Sequence, residues 1–225
     1  VEVLERQLRS RTLSVSLSEC QEWTNSLWQK PHPLFRESQF VFPSTLVQWN
    51  NLVQQYAQQC VHECATALEA VSTINSKIHQ DFSYRPGSTH LTSSVAEVFA
   101  QKKGVCQDFA HLGVAMCRSL GLASRYVSGY LLTHPPPGRP RMVGADASHA
   151  WVSVYCPERE GGRWVDFDPT NNLLPDTQHI TLAWGRDFAD VSPLRGVILG
   201  GDAHELEVAV TVTPVNTCTA RETSA

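Results

Sequence analysis

Long apolar runs are missing from this chain. No stretch of its 225 residues approaches the ~18 consecutive apolar residues of a membrane-spanning helix, so no membrane partner is expected. Positive charge is also scarce. There are 18 Lys and Arg against 22 Asp and Glu, a net charge of −4, and no basic run is longer than Lys102-Lys103. That argues against nucleic acid as a partner. No signal peptide is legible, and the chain opens VEVLERQLRSR without an initiator Met, as a fragment or processed form would. A disulfide framework is absent too: the cysteines, at Cys20, Cys60, Cys64, Cys106, Cys117, Cys156 and Cys218, are odd in number and scattered. A reducing, cytoplasmic setting with free thiols is the expectation. No calcium loop, zinc pattern or internal repeat is visible, and no cofactor is expected. The Cys60-Val61-His62-Glu63-Cys64 segment invites a metal reading, but no second ligand pair is near and both thiols fall on one face of an expected helix, so core packing is favoured.

What is present is globular. Hydrophobic residues make up 42% of the chain and charged ones 18%, enough apolar material for one sizeable core. Ser18, Glu22 and Trp23 suggest a short helix ended at Lys30-Pro31. Pro43 is expected to open a second helix running to Tyr56, and Val61 to His79 a third. The stretch Asp81 to His90 reads as a loop, after which Thr92 or Ser93 should cap a short helix through Phe99. Strands are expected over Ser124–Leu132, His149–Tyr155, Arg163–Asp168 and Ile180–Leu182, with further ones at Gly196–Gly201 and Leu206–Val212. Thr133 to Arg141, with its PPPGRP, reads as a surface loop, and 157–162 as a hairpin loop.

The most informative stretch is Gly104-Val105-Cys106-Gln107-Asp108-Phe109-Ala110-His111. Gly104 breaks the preceding segment and is expected to take backbone angles other residues avoid. From Phe109, apolar residues recur three or four apart through Gly113, Met116, Cys117 and Leu120, one face of a helix that Gly121 closes. Cys106 therefore sits in the first helical turn. Unpaired backbone N–H groups and the positive end of the helix dipole there favour thiolate, the nucleophilic form. His149 heads a later strand and Asp168 ends another. A Cys, a His and an Asp at the ends of regular elements suit nucleophilic acyl transfer. His111, on the Cys106 helix itself, points away from the thiol and reads as core.

GVCQDFAHL, RSLGLASRYVSGYL, SHAWVSVY and WVDFDPTNN, in that order, resemble the transglutaminase-like superfamily, in particular its bacterial cysteine protease branch. FSYRPGSTHLTSSVAEVF and HITLAWGRDFADVSPLRGVILGGDAHELEVAV extend the resemblance over about Phe82 to Val212. It implies an α+β, papain-like fold with a transglutaminase core: a helical N-terminal part and a nucleophile helix packed on an antiparallel β-sheet. It implies Cys106 as nucleophile, His149 as base and Asp168 as the acid that orients it. The implied organisation is a linker or remnant of a preceding β domain over 1–17, a catalytic domain over 18–212 and a tail over 213–225.

Strand alternation puts Trp164, Asp166 and Asp168 on one side, so either acid could face His149. Asp168 matches the family acid, whereas the family more often has a small residue at the position of Asp166. Tyr84 is a candidate oxyanion donor, since acyl transfer needs a donor besides a backbone N–H; a structural tyrosine is the plainer account. The expected activity is hydrolysis of a peptide, isopeptide or other amide bond through a thioester, with a peptide or protein amide as substrate. The alternatives are a protein-glutamine transglutaminase or other amide-forming acyltransferase, and a non-catalytic binding module on the same fold. An arylamine acetyltransferase would use the same trio, but the segments around Cys106 do not resemble that family.

Overall fold

The computed structural model describes residues 15–26, 35–133, 148–158, 161–192, 196 and 209–213. The expected strand over Gly196–Gly201, most of the 133–147 segment, and the 1–17 and 213–225 segments lie largely outside them; of the strand expected over Leu206–Val212, residues 209–212 are described and hold one isolated bridge position but no strand. Helices come first: α1 (Leu17–Ser26), α2 (Phe35–Ser38) followed by one 3₁₀ turn, α3 (Asn51–Val61) and α4 (Ala67–Asp81). Then come β1 (Ser83–Tyr84), α5 (Val95–Gln101), β2 (Lys103–Gly104) and α6 (Cys106–Ser119). The sheet strands β3 (Ser124–Leu131), β4 (Ser148–Glu158), β5 (Gly161–Phe167) and β6 (His179–Gly185) follow, and α7 (Phe188–Val191) ends the described fold.

Several helix starts differ from expectation because side-chain capping decides them. Residues 43–50 are not helical, and α3 begins where the Asn50 side chain accepts the Val53 N–H at 3.1 Å. The expected helix from Val61 is two elements. Thr66 and Glu69 form a reciprocal capping box that opens α4. Cys60 therefore sits in the last turn of α3 and Cys64 lies beyond it; both pack against the core. A second capping box, Ser94 with Glu97, starts α5, so neither Thr92 nor Ser93 is the cap. Each satisfies backbone donors that the helix itself leaves unpaired. The 157–162 loop is shorter than expected, because Pro157 pairs with Gly162 and Glu158 with Gly161.

The larger sheet is antiparallel with spatial order β5-β4-β3-β6. It packs on α6, and α3, α4 and α5 cover the other side of that helix. This explains why α6 is buried on every side from Asp108 to Arg118 and not on one face alone. Leu112, Val114 and Met116 are wholly inaccessible. Deleting such a side chain costs about 2–5 kcal/mol.

Arg118 is the charge carried into this core. Only 3% of it is exposed. Its guanidinium donates to the carbonyls of Phe40 (3.0 Å), Phe42 (2.9 Å), Ser124 (2.8 and 3.0 Å) and Arg186 (2.8 Å). It thereby ties the segment before α3, the start of β3 and the end of β6 to one helix. Burial lowers its pKa to about 10, with the nearby Asp187 opposing that shift. Arg118→Met should strand several buried carbonyls and destabilise the fold by about 2–4 kcal/mol, read as a lower urea midpoint.

Candidate active site

Each site residue stands at an element boundary. Cys106 is the first residue of α6, and three contacts fix that helix start. The Asp108 carboxylate accepts the Val105 N–H at 2.8 Å and the Thr89 hydroxyl at 2.6 Å. Gly104 comes so close that a Cβ there would lie 2.8 Å from the Asp108 side chain. The glycine is thus required for space. The left-handed angle in this segment belongs to Lys102, at φ 53°, which corrects the expectation that Gly104 takes it. Lys102 places its ammonium 3.9–4.6 Å from the ring centroids of Tyr56, Phe82 and Phe99, contacts that favour its position.

His149 is the second residue of β4, and Asp168 follows the last residue of β5. The turn carrying Asp168 is pinned from α4. Ser76 Oγ and Asn75 Nδ2 donate to Asn172 Oδ1 at 2.9 and 3.3 Å, and the His79 ring lies 2.9 Å from the Thr170 carbonyl. Asn172 itself takes φ 53°, a conformation asparagine tolerates better than most residues.

The three elements bring Cys106, His149 and Asp168 together. His149 Nε2 lies 2.8 Å from Asp168 Oδ2, and the Cys106 thiol is close enough to the same imidazole to help raise its pKa. With Nε2 committed to the carboxylate, Nδ1 is the nitrogen left for sulfur. Asp168 has no exposed surface and His149 is 8% exposed. Burial alone would discharge the ring, but the hydrogen bonds to Asp168 and then to Cys106 outweigh it and raise the His149 pKa to about 9. Burial likewise works to raise the Asp168 pKa, and is overcome by hydrogen bonds from His149, His179 and Asn171 that hold it well below the ordinary range.

Sequence reasoning missed two of those donors. Asn171 Nδ2 is 2.7 Å from Asp168 Oδ2, and His179 Nε2 is 3.1 Å from it. The backbone N–H groups of Thr170 and Asn171 hold Oδ1 at 2.9 and 3.1 Å. The Asn171 contact has a sequence trace in DPTN, an acid with an amide three residues on. The His179 contact has none, because it joins strands on opposite sides of the sheet. Asp166 sits opposite Ser153, four residues along β4 from His149, a span of ~13 Å. The carboxylate on His149 is Asp168.

Tyr84 is placed by an element the sequence did not suggest. β1 pairs parallel with β2, setting Tyr84 opposite Gly104. Its ring edge meets Phe109 at 6.3 Å, and half of the residue is exposed. Burial and then the Cys106 charge push its phenol pKa up, so the hydroxyl stays protonated and able to donate. His111 lies apart from the trio: its Nε2 accepts the Phe188 N–H at 3.1 Å, and burial lowers its pKa to about 4. A hollow of about 300 Å³ lined by Thr89, His90, Leu91, Val105, Gln107 and Asp108 adjoins the Cys106 helix start. None of the six described cysteines is in a disulfide.

The sequence profile of the transglutaminase-like superfamily matches residues 54–169, a span that contains all three residues of the trio. The chain belongs to that superfamily. An uncharacterized protein of Mycobacterium tuberculosis is 46% identical over 164 residues, 72% of this chain and 52% of that protein. One from Mycobacterium leprae is 43% identical over 133 residues, 58% of this chain and 44% of that protein. The chain thus spans about half the length of these curated relatives. The crystal structure of a candidate cysteine protease from Cytophaga hutchinsonii superposes with a TM-score of 0.59 at 30% identity, covering 72% of this chain and 52% of that one. The fold is the mixed helix-and-sheet, papain-like core of this superfamily. No described helix is long and apolar enough to cross a membrane.

The pairing of His149 sets a pH dependence of stability. Its folded pKa, about 9, lies above the ~6.5 of a free histidine. The stabilisation is therefore full below pH ~6.5 and lost as pH rises through about 9. The difference in unfolding free energy between wild type and His149→Ala, measured in urea from pH 6 to 10, should shrink over that window. A difference that grows with pH would contradict the pairing.

Proposed function

We propose that this chain carries out thiol-dependent acyl transfer at an amide bond, with Cys106 as nucleophile, His149 as general acid–base and Asp168 as its orienting acid. One arrangement above all supports this: the His149 ring is 2.8 Å from a fully buried carboxylate and is close enough to the Cys106 thiol for both to raise its pKa. A charged imidazole at neutral pH favours a thiolate partner. The thiolate adds to the amide carbonyl, and the C–N bond breaks as His149 gives its proton to the leaving amine. This leaves a thioester on Cys106 and a neutral imidazole, which then takes a proton from the water that releases the acid.

The oxyanion needs donors that are already in place. The first N–H groups of α6 have no partner within the helix, and the Cys106 N–H is the first of them. Tyr84 supplies the second donor from its place opposite Gly104. The hollow beside Val105 and Gln107 takes the chain on one side of the scissile bond. The substrate is a peptide or protein amide, and water is the main acceptor. The likeness to a candidate cysteine protease at 30% identity favours that outcome over amine transfer. The free thiols suit a reducing, cytoplasmic location.

The other thiols provide an internal contrast. Burial raises the Cys117 pKa to about 12 and also raises those of Cys20 and Cys60. Iodoacetamide at neutral pH should therefore label Cys106 first, as peptide mapping will show; first labelling of Cys60 or Cys117 would refute the nucleophile.

Cys106→Ala and His149→Ala should each lower kcat/KM by on the order of 10³-fold or more, with the double variant little worse than either. Multiplicative losses would refute a shared mechanism. With a turned-over acyl donor and millimolar lysine analogue, free acid should exceed amide product. The reverse ratio would make the chain a transglutaminase in activity.

A further inference from the structure

His179 is the one buried imidazole on the triad carboxylate that the mechanism leaves without a task. It opens β6, an edge strand, whereas Asp168 follows β5 at the opposite edge. Its ring reaches across the sheet, and Gly129 in β3 makes the crossing feasible. A Cβ at Gly129 would lie 2.2 Å from the Ile180 carbonyl oxygen and 2.5 Å from the Trp151 ring. In the space left by that missing side chain, Trp151 packs beside both histidines, whose own ring centroids are 6.0 Å apart. Its centroid is 5.3 Å from His179, edge to face, and 6.0 Å from His149. Trp151 has no exposed surface, and the His179 side chain is 2% exposed.

The orientation of the proton follows from the partners. Asp168 accepts only, so His179 Nε2, at 3.1 Å, must donate. Its Nδ1 is buried without a hydrogen bond, and faces the exposed Asp176 carboxylate at 3.9 Å. Asp168 Oδ2 thus collects His149, His179 and the Asn171 amide. Two imidazoles braced on one carboxylate oxygen limit its rotation about the Cβ–Cγ bond.

We propose that His179 is a positioning residue: its Nε2–H fixes Asp168 Oδ2 in the plane from which that oxygen holds His149 towards Cys106. This rests on the triad reading above. Two imidazoles and a carboxylate, with ligand atoms within 4.8 Å of one another, could also invite a divalent metal ion. The Asn171 amide argues against that occupant. Its nitrogen lies 2.7 Å from Oδ2 and 3.3 Å from His149 Nε2, so donor hydrogens fill the space a cation would need.

The test is the NMR titration of the His149 ring in the full chain, assigned through His149→Ala, for wild type, Asp168→Asn, His179→Gln and His179→Asn. The glutamine amide nitrogen reaches the place of Nε2, whereas the shorter asparagine reaches only that of Nδ1. Asp168→Asn should bring the His149 midpoint down by about 1 pH unit or more, and His179→Asn should move it the same way. His179→Gln should stay within about 0.3 unit of wild type, since its donor is retained. If Asp168→Asn leaves the midpoint unchanged, the triad reading itself fails. If Asp168→Asn shifts it while His179→Asn does not, only the positioning role is overturned. A fall in His179→Gln to the Asp168→Asn value, with a native thermal midpoint, also overturns it. So does stoichiometric zinc retained by wild type and lost from His179→Gln, which would make the cluster a metal site.

Discussion

Asp168 holds a negative charge with none of its surface in water. An ionised carboxylate in that position costs several kcal/mol unless donors surround it. Five hydrogen bonds do so here, from two backbone N–H groups, one amide and two imidazoles. Much of the local architecture can be understood as what keeps those donors in place: α4 grips the turn after β5, Gly129 clears a path across the sheet, and Trp151 packs against both histidine rings. Remove the charge and His149 loses the largest of the influences that raise its pKa.

The Cys106 end of the site depends on a second close contact. α6 is buried along most of its length, so its start can shift only if the core shifts. Asp108 anchors that start to the 85–91 loop through Thr89, and Gly104 allows the incoming strand to pass against it. The same strand pairs with Ser83 and Tyr84. One short parallel pair therefore sets both the approach to Cys106 and the phenol beside it. The helix and the sheet are separate units, and Arg118 locks them together from the far end of α6.

The chemistry at Cys106 and the electrostatics at Asp168 are coupled through one ring. Asp168 and Cys106 both favour the charged form of His149, against the burial that opposes it. The site is open on one side, where Tyr84 is half in solvent and a hollow lies beside Val105.

Local sequence determined the parts of this protein that rest on near neighbours. The helix beginning at Cys106 and the strands headed by His149 and ended before Asp168 follow from apolar periodicity and turn residues. The family motifs fall on those elements because motif and element are both contiguous. Helix starts were less legible, since Asn50, Thr66 and Ser94 each compete with neighbouring polar residues that could also cap. The choice of Asp168 over Asp166 is decided by register: alternation puts both on one side of β5, and only pairing with β4 places one of them four residues away from His149. His179 and Tyr84 were decided by tertiary structure alone. Their neighbours come from strands brought together across the sheet and from a two-residue parallel pair, contacts between residues far apart in the chain that no local pattern encodes.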